Sequence, residues 1–252
     1  MSQPALTLRA LSTHQALRDA VELQREIWGF SDLELLPVRL FVVATKVGGQ
    51  VFGAYDGARM VGFLLGIPGL KPGGKSYLHS HMLGVLPEYR NSGLGRLMKL
   101  RQREDALANG VDLVEWTFDP LELKNAYFNV ERLGAIVRRY VHNQYGITGS
   151  HLHGGLPTDR LIAEWWIASD RAQAIVAGQP DATRPPVEAR ISVPFHIAAI
   201  RSEDPKRARQ IQQEMAQQFE EHFSRGLAVI GFEKSPETGT YLLGRWERKG
   251  ST

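Results

Sequence analysis

The chain has 252 residues, 43% of them apolar and 23% charged, the balance of a soluble globular protein with room for one full domain and a smaller addition. It has no cysteine, which excludes disulfides, thiolate metal sites and cysteine nucleophiles. The net charge of +3 is small and no long basic stripe or nucleic-acid-binding signature accompanies it, so nucleic acid is not an expected partner.

Met1-Ser2-Gln3-Pro4 lacks the basic and apolar regions of a signal peptide, and no apolar run approaches the roughly 20 residues that span a bilayer. A cytoplasmic chain without membrane contact is the expectation. Leu6–Leu11 alternates like a first strand, and Ser12 or Thr13 then caps a helix with Leu17, Val21, Ile27 and Trp28 at helical spacing, ended by Gly29. Pro37 suits the first turn of a second helix through Phe41, Ala44 and Val47, closed by Gly48-Gly49. Gln50–Tyr55 and Met60–Ile67 read as a hairpin around Asp56-Gly57, and Ser76–Val85 as a fourth strand.

The next stretch, Val85-Leu86-Pro87-Glu88-Tyr89-Arg90-Asn91-Ser92-Gly93-Leu94-Gly95-Arg96, reads as a strand end, a turn and a helix start. Gly93 and Gly95 leave main-chain N–H groups uncovered where the positive end of a helix begins, an arrangement suited to a diphosphate. Arg90, Arg96, Lys99, Arg101 and Arg103 form the densest basic cluster of the chain, beside that turn.

The helix from this turn runs to about Asn109-Gly110, and a fifth strand covers Asp112–Phe118. Leu121–Leu133 is the next helix, stopped by Gly134; Ile136–Tyr145 and Leu161–Ala168 read as strands six and seven, either side of a Gly- and His-containing loop. Gln179–Pro186 has the composition of a connection. Beyond it, Ile191–Ile200 reads as a strand, Asp204-Pro205 opens a helix with Ala208, Ile211, Met215, Phe219 and Phe223 on one face, and Leu227–Phe232 and Thr240–Leu243 read as two strands.

The motif and the element order together resemble the GNAT (GCN5-related N-acetyltransferase) superfamily, of the kind with a long C-terminal extension. The resemblance covers about residues 6–168. It implies an α/β (α+β) fold: a mixed, mostly antiparallel central sheet flanked by helices, here with an additional C-terminal strand-helix-strand-strand lobe. The implied division is a catalytic acyl-CoA-binding domain over 1–170 and an extension over 187–252, packed on it or, through its apolar helix face, at a homodimer interface.

Residue by residue, the resemblance assigns the main chain of Leu83, Gly84 and Val85 to the pantetheine arm, the turn Arg90, Asn91, Ser92, Gly93, Leu94, Gly95 and Arg96 to the diphosphate, and Asn125 to the cofactor arm. Family members often carry a tyrosine four residues before the glycine that ends this helix, to protonate the thiolate. Val130 stands there instead, leaving Tyr127, Asn129 or solvent for that role. For the base, His79 and His81 lie on one face of the fourth strand by its period of two, pointing with Leu83, and Glu115 on the fifth strand is the carboxylate alternative.

His151-x-His153 invites a metal reading, but without further clustered ligands no metal is expected, and a substrate-lining loop is the better expectation. Trp165, Trp166, Tyr140 and Tyr145 either line an acceptor pocket or pack in the sheet. The expected function is acyl-CoA-dependent N-acyl transfer to the amine of a small molecule such as an amino acid, by direct attack, with a main-chain N–H near Val85 holding the oxyanion. Acetyl-CoA is the expected donor; succinyl-CoA would call for a spare cation, for which Arg138 and Arg139 are candidates. The competing reading is a non-catalytic acyl-CoA-binding or sensing module. A dinucleotide-binding oxidoreductase is disfavoured, because the turn lacks Gly-x-Gly-x-x-Gly spacing.

Overall fold

The computed structural model describes residues 6–146, 156–179 and 181–247. They form two compact units, Met1–Glu115 and Trp116–Thr252, with the division inside a single strand. No described helix is long and apolar enough to cross a membrane.

In the first unit β1 (Thr7–Ala10), β2 (Gln50–Asp56), β3 (Arg59–Leu70) and β4 (Ser76–Val85) pair antiparallel in that order. β5 (Leu113–Phe118) then lies parallel to β4, with Leu78 opposite Val114 and His79 opposite Glu115. The parallel step needs a crossover, which is α3 (Leu94–Ala108). α1 (His14–Trp28) starts on Thr13, whose hydroxyl accepts from Ala16 N, and stops at Gly29, where φ is 68°. α2 (Val38–Lys46) follows.

Helices cover both faces of this sheet. A Cβ on Gly84 of β4 would meet Ile27 and Trp28 of α1, whereas one on Gly62 of β3 would meet Met98 of α3. The core between them is built from Phe41, Phe63, Leu64, Leu65, Leu86, Leu94 and Met98. One irregularity matters for the site: Leu65 pairs with Met82 but Gly66 with Ser80, so β4 bulges outward by one residue, His81.

In the second unit α4 (Leu123–Tyr127) widens into a π turn over Phe128–Arg132. β6 (Ile136–Val141) and β7 (Arg160–Trp166) are antiparallel, and α5 (Asp170–Val176) opens on Ser169, whose Oγ accepts from Ala172 N. The C-terminal segment supplies β8 (Ala189–Pro194), α6 (Ile197–Glu203), α7 (Pro205–Ser224), β9 (Ala228–Lys234) and β10 (Thr238–Gly244). Its strands extend the same sheet in the order β7, β6, β9, β10, β8, with Val137 opposite Val229.

The expected mixed, mostly antiparallel sheet flanked by helices is therefore present, with three local differences. Ile191–Ile200 is not one strand: Pro194 ends the ladder and Ile197, Ile200 and Arg201 turn as α6. α5 occupies a stretch, between the seventh strand and the connection at Gln179–Pro186, for which the sequence pattern predicts no element, because its short apolar face gives little periodic signal. The apolar face of α7 is consumed inside its own unit, where Phe219 lies 5.9 Å from the ring of Tyr140 and 5.1 Å from that of Tyr241. Ala208, Ile211, Met215 and Phe219 are all buried, so this face is not one that a second copy would cover.

Candidate active site

The turn after β4 is built by four residues with distinct tasks. Leu86 N still bonds Val61 O at 2.9 Å, after which Pro87–Tyr89 form one 3-10 turn. Ser92 Oγ donates to Tyr89 O at 2.6 Å, Asn91 takes φ 61° and Gly93 takes φ 88°. Asparagine tolerates that left-handed region and glycine does not resist it. Gly93 is the N-cap of α3, and a Cβ there would meet nothing within 4 Å. A Cβ on Gly95 would meet only Leu83 Cδ2, at 3.7 Å. Leu94 N donates to Ser92 Oγ at 3.4 Å, and the space beside Gly93 at the helix's positive end is open.

Arg90 does not sit in this space as a loose cation. Its guanidinium donates to Val85 O at 3.3 Å and to Ile27 O at 3.2 Å, tying the end of β4 to the last turn of α1. Gly84 is likewise a packing glycine, because Ile27 Cδ1 would lie 2.7 Å from its Cβ.

The bulge changes the faces of β4. Ser80 meets Lys99 of α3 and Leu83 lies against Gly95 of the same helix, so both turn toward α3 although three residues apart. Strict alternation had put Leu83 with the histidines; the extra residue at His81 moves it to the opposite face. His79 and His81 do neighbour each other, with ring centroids 5.7 Å apart. Burial, then the neighbouring His81, Lys99 and Lys71, pull the His79 imidazole down to about 4, and burial lowers His81. Both rings are therefore neutral at pH 7. Glu115, 4% exposed, forms an ion pair with Lys71, which also lies 4.4 Å over the Tyr77 ring. Its carboxylate charge is already engaged.

One residue of this unit has a setting that the sequence reading missed. Lys99 looks like a solvated helix cation in the sequence, yet it is 3% exposed and donates to Ser80 Oγ at 2.8 Å and Gln102 Oε1 at 3.1 Å. Its spacing from Gln102 and the apolar Met98 and Ala106 on the same helix face is the signal that would have found it.

In the second unit Asn125 is exposed on α4, and Tyr127 is half-buried with Lys234 Nζ 3.6 Å from its ring centroid. Asn129 is 4% exposed, and its carbonyl accepts from Ala135 N. Val130 is wholly buried. Arg171, itself buried against Asp181, donates to Gly134 O and Val130 O and so holds the carbonyl end of the π turn.

Arg138 and Arg139 both lie at a β6 bulge, because Val137 pairs with Ala163 and Tyr140 with Leu161. Their guanidinia share one buried carboxylate, Glu164, at 2.5 and 3.5 Å. Trp165 is core, at 0% exposure against Trp116, and Tyr140 donates to Asp159 Oδ2 at 2.6 Å. Tyr145 alone of these aromatics is largely exposed, its hydroxyl 3.0 Å from Thr117 Oγ1. His151 and His153 lie outside the described residues. Among the described residues no three His, Cys, Asp or Glu side chains gather to hold a metal ion.

No protein-family model matches the sequence, and no curated protein is matched by it. Solved structures match by fold. The ribosomal-protein-S18-alanine N-acetyltransferase of Escherichia coli superposes with a TM-score of 0.51 at 17% identity, covering 66% of this chain and 97% of that one. YncA of Salmonella typhimurium, described as an acetyltransferase and solved with its cofactor acetyl-CoA, gives 0.53 at 15%, covering 65% and 94%. An acetyltransferase of the GNAT family from Streptococcus pneumoniae gives 0.51 at 14%, covering 64% and 98%. Each is spanned almost completely, with roughly a third of this chain left over. The likeness is one of architecture: this chain has the fold of the GNAT acetyltransferases.

Proposed function

We propose that this protein is an acyl-CoA-dependent N-acyltransferase that moves an acetyl group directly to the amine of a small molecule. The observation that carries the reading is the turn Arg90–Arg96, whose glycines leave open space at the start of α3 on a chain with this fold. Those residues fit a diphosphate, since the helix start beside Gly93 and Gly95 carries no side chain and is open. Acyl-CoA, when bound, supplies an activated acyl group as its thioester.

The chain's own residues divide the remaining tasks. Amides of Asn91 to Arg96 hold the diphosphate, and the main chain of Leu83, Gly84 and Val85 holds the arm. Asn125 and Asn129 as further cofactor contacts, and Tyr127 as the acid, are carried over from the family resemblance. His81 takes the proton from the amine. It is uncharged at pH 7 and half-buried, whereas Glu115 is held by Lys71.

Acetyl is favoured over succinyl because Arg138 and Arg139 both rest on Glu164, so neither is the spare cation a dicarboxylic acyl group would need. The acceptor class is tested against the one named for the Escherichia coli enzyme, a protein alanine. A free-thiol assay crossing acetyl- and succinyl-CoA with amino acids, polyamines and peptides decides it. Acetyl-CoA consumption with a small amine is expected. Binding without turnover across the panel would leave an acyl-CoA-binding or sensing module, and absence of binding would overturn the reading.

A further inference from the structure

We infer that Lys99 is a positioning residue for the histidine pair: bonded to Ser80 from the back of β4, its side chain pins the bulge that presents His81. The inference rests on the reading of His81 as the base.

Lys99 sits one turn after Gly95, on the helix that starts at the glycine turn. It points inward, at 3% exposure, and donates to Ser80 Oγ at 2.8 Å and to Gln102 Oε1 at 3.1 Å. Gln102 is fully buried as well, and its carbonyl accepts from Gln50 Nε2 at 3.2 Å. Burial there strips the lysine of its hydration and pulls its basicity well below the ordinary lysine value, and a methionine of similar volume would pack there without that cost. The stability of the fold therefore does not account for this lysine.

Its contact does. Ser80 stands between His79 and His81 in sequence and is the last residue of β4 in register before the bulge, opposite Gly66. Holding Ser80 Oγ from α3 fixes the point at which the strand gains its extra residue. Without that tether the bulge is free to slip along β4, and a slip of one residue would turn His81 to the other face.

The charged and titratable groups around the imidazoles in this unit are Tyr77 on β4, Lys71 from the turn before β4 with its partner Glu115 on β5, and Lys99 from α3. β3 offers only Leu65, Gly66 and Ile67 at the facing positions. Lys99 and Lys71 both lower the imidazole basicity of His79, after burial and the neighbouring His81. The same helix would thus hold the acyl donor and, through Ser80, the strand that carries the base.

The test uses the full chain with Lys99→Met and Ser80→Ala, each checked for folding by circular dichroism. Imidazole titrations of His79 and His81 are followed by NMR, assigned with His79→Gln and His81→Gln. Lys99→Met should raise the His79 midpoint and lower kcat, with KM for acetyl-CoA unchanged. Ser80→Ala, which keeps the charge, should lower kcat without moving the His79 midpoint. Titrations in Lys99→Met that coincide with wild type, or wild-type kcat in Ser80→Ala, would overturn the positioning role. If Lys99→Met does not fold, Ser80→Ala alone decides. Full activity in His81→Gln would instead remove the base reading, whatever the titrations show.

Discussion

Arg90 Nε donates to the main-chain carbonyl of Val85, five residues earlier, while its Nη2 reaches the carbonyl of Ile27. An arginine that the sequence places among diphosphate ligands thus acts on geometry: it sets where β4 ends and where the turn begins. Arg90→Ala should cost about 1 kcal/mol of stability and weaken acetyl-CoA binding about tenfold, through a displaced turn. Arg90→Lys should not restore either, because its single nitrogen cannot stand at both the Nε and the Nη2 positions that reach Val85 O and Ile27 O. Urea unfolding with calorimetric titration checks both; recovery of affinity in the lysine variant would show that charge alone matters.

The two glycines of the turn should separate stability from binding. Gly95 lies in the first turn of α3 with room around it, so Gly95→Ala should stabilise the fold by about 0.5–1 kcal/mol while weakening acetyl-CoA binding about tenfold. Gly93, at φ 88°, should lose about 1 kcal/mol or more as alanine, in addition to affinity. Thermal melts and binding isotherms on the two variants distinguish the cases. Equal stability changes of one sign would contradict the geometry.

His79 makes stability depend on pH. Its folded value, about 4, lies below the unfolded value near 6.5, so between those limits the unfolded chain binds more protons. Stability is therefore full above about pH 6.5 and is lost as pH falls toward 4, by up to about 2 kcal/mol once the solvent reaching the ring is allowed for. His79→Gln should flatten this limb. Denaturant midpoints at pH 7, 6 and 5 for both proteins are the measurement.

Lys71 and Glu115 form an ion pair in which the carboxylate side chain is 6% exposed and the ammonium 25%. Lys71→Met should cost about 2–4 kcal/mol, because it leaves a buried charge without its partner. The double variant Lys71→Met, Glu115→Leu should regain most of that loss. A double variant as unstable as the single one would show that packing, not charge, sets the cost.

Much of the scaffold could be read directly from local pattern. The Asp56-Gly57 hairpin, the Thr13 cap and Gly29 stop of α1, and the Gly93 start of α3 each follow from short-range backbone chemistry, and all are in place. α6 escaped because Ile197 and Ile200 also fit a strand continuing from Ile191, and only Pro194 separates the readings. The roles of Arg90 and Gly84 escaped because each depends on α1, some 60 positions away in the chain.

What the sequence determined alone is the architecture and the glycine turn, since turn geometry, helix starts and strand alternation are set by neighbours along the chain. What the tertiary structure decided is which side chains face one another. The bulge at His81 reverses the face of Leu83, and the fold draws Lys99 inward to Ser80 and sets Lys71 on Glu115. A one-residue change in pairing register and the burial of a charge are both settled by contacts between distant segments, and no local pattern records them.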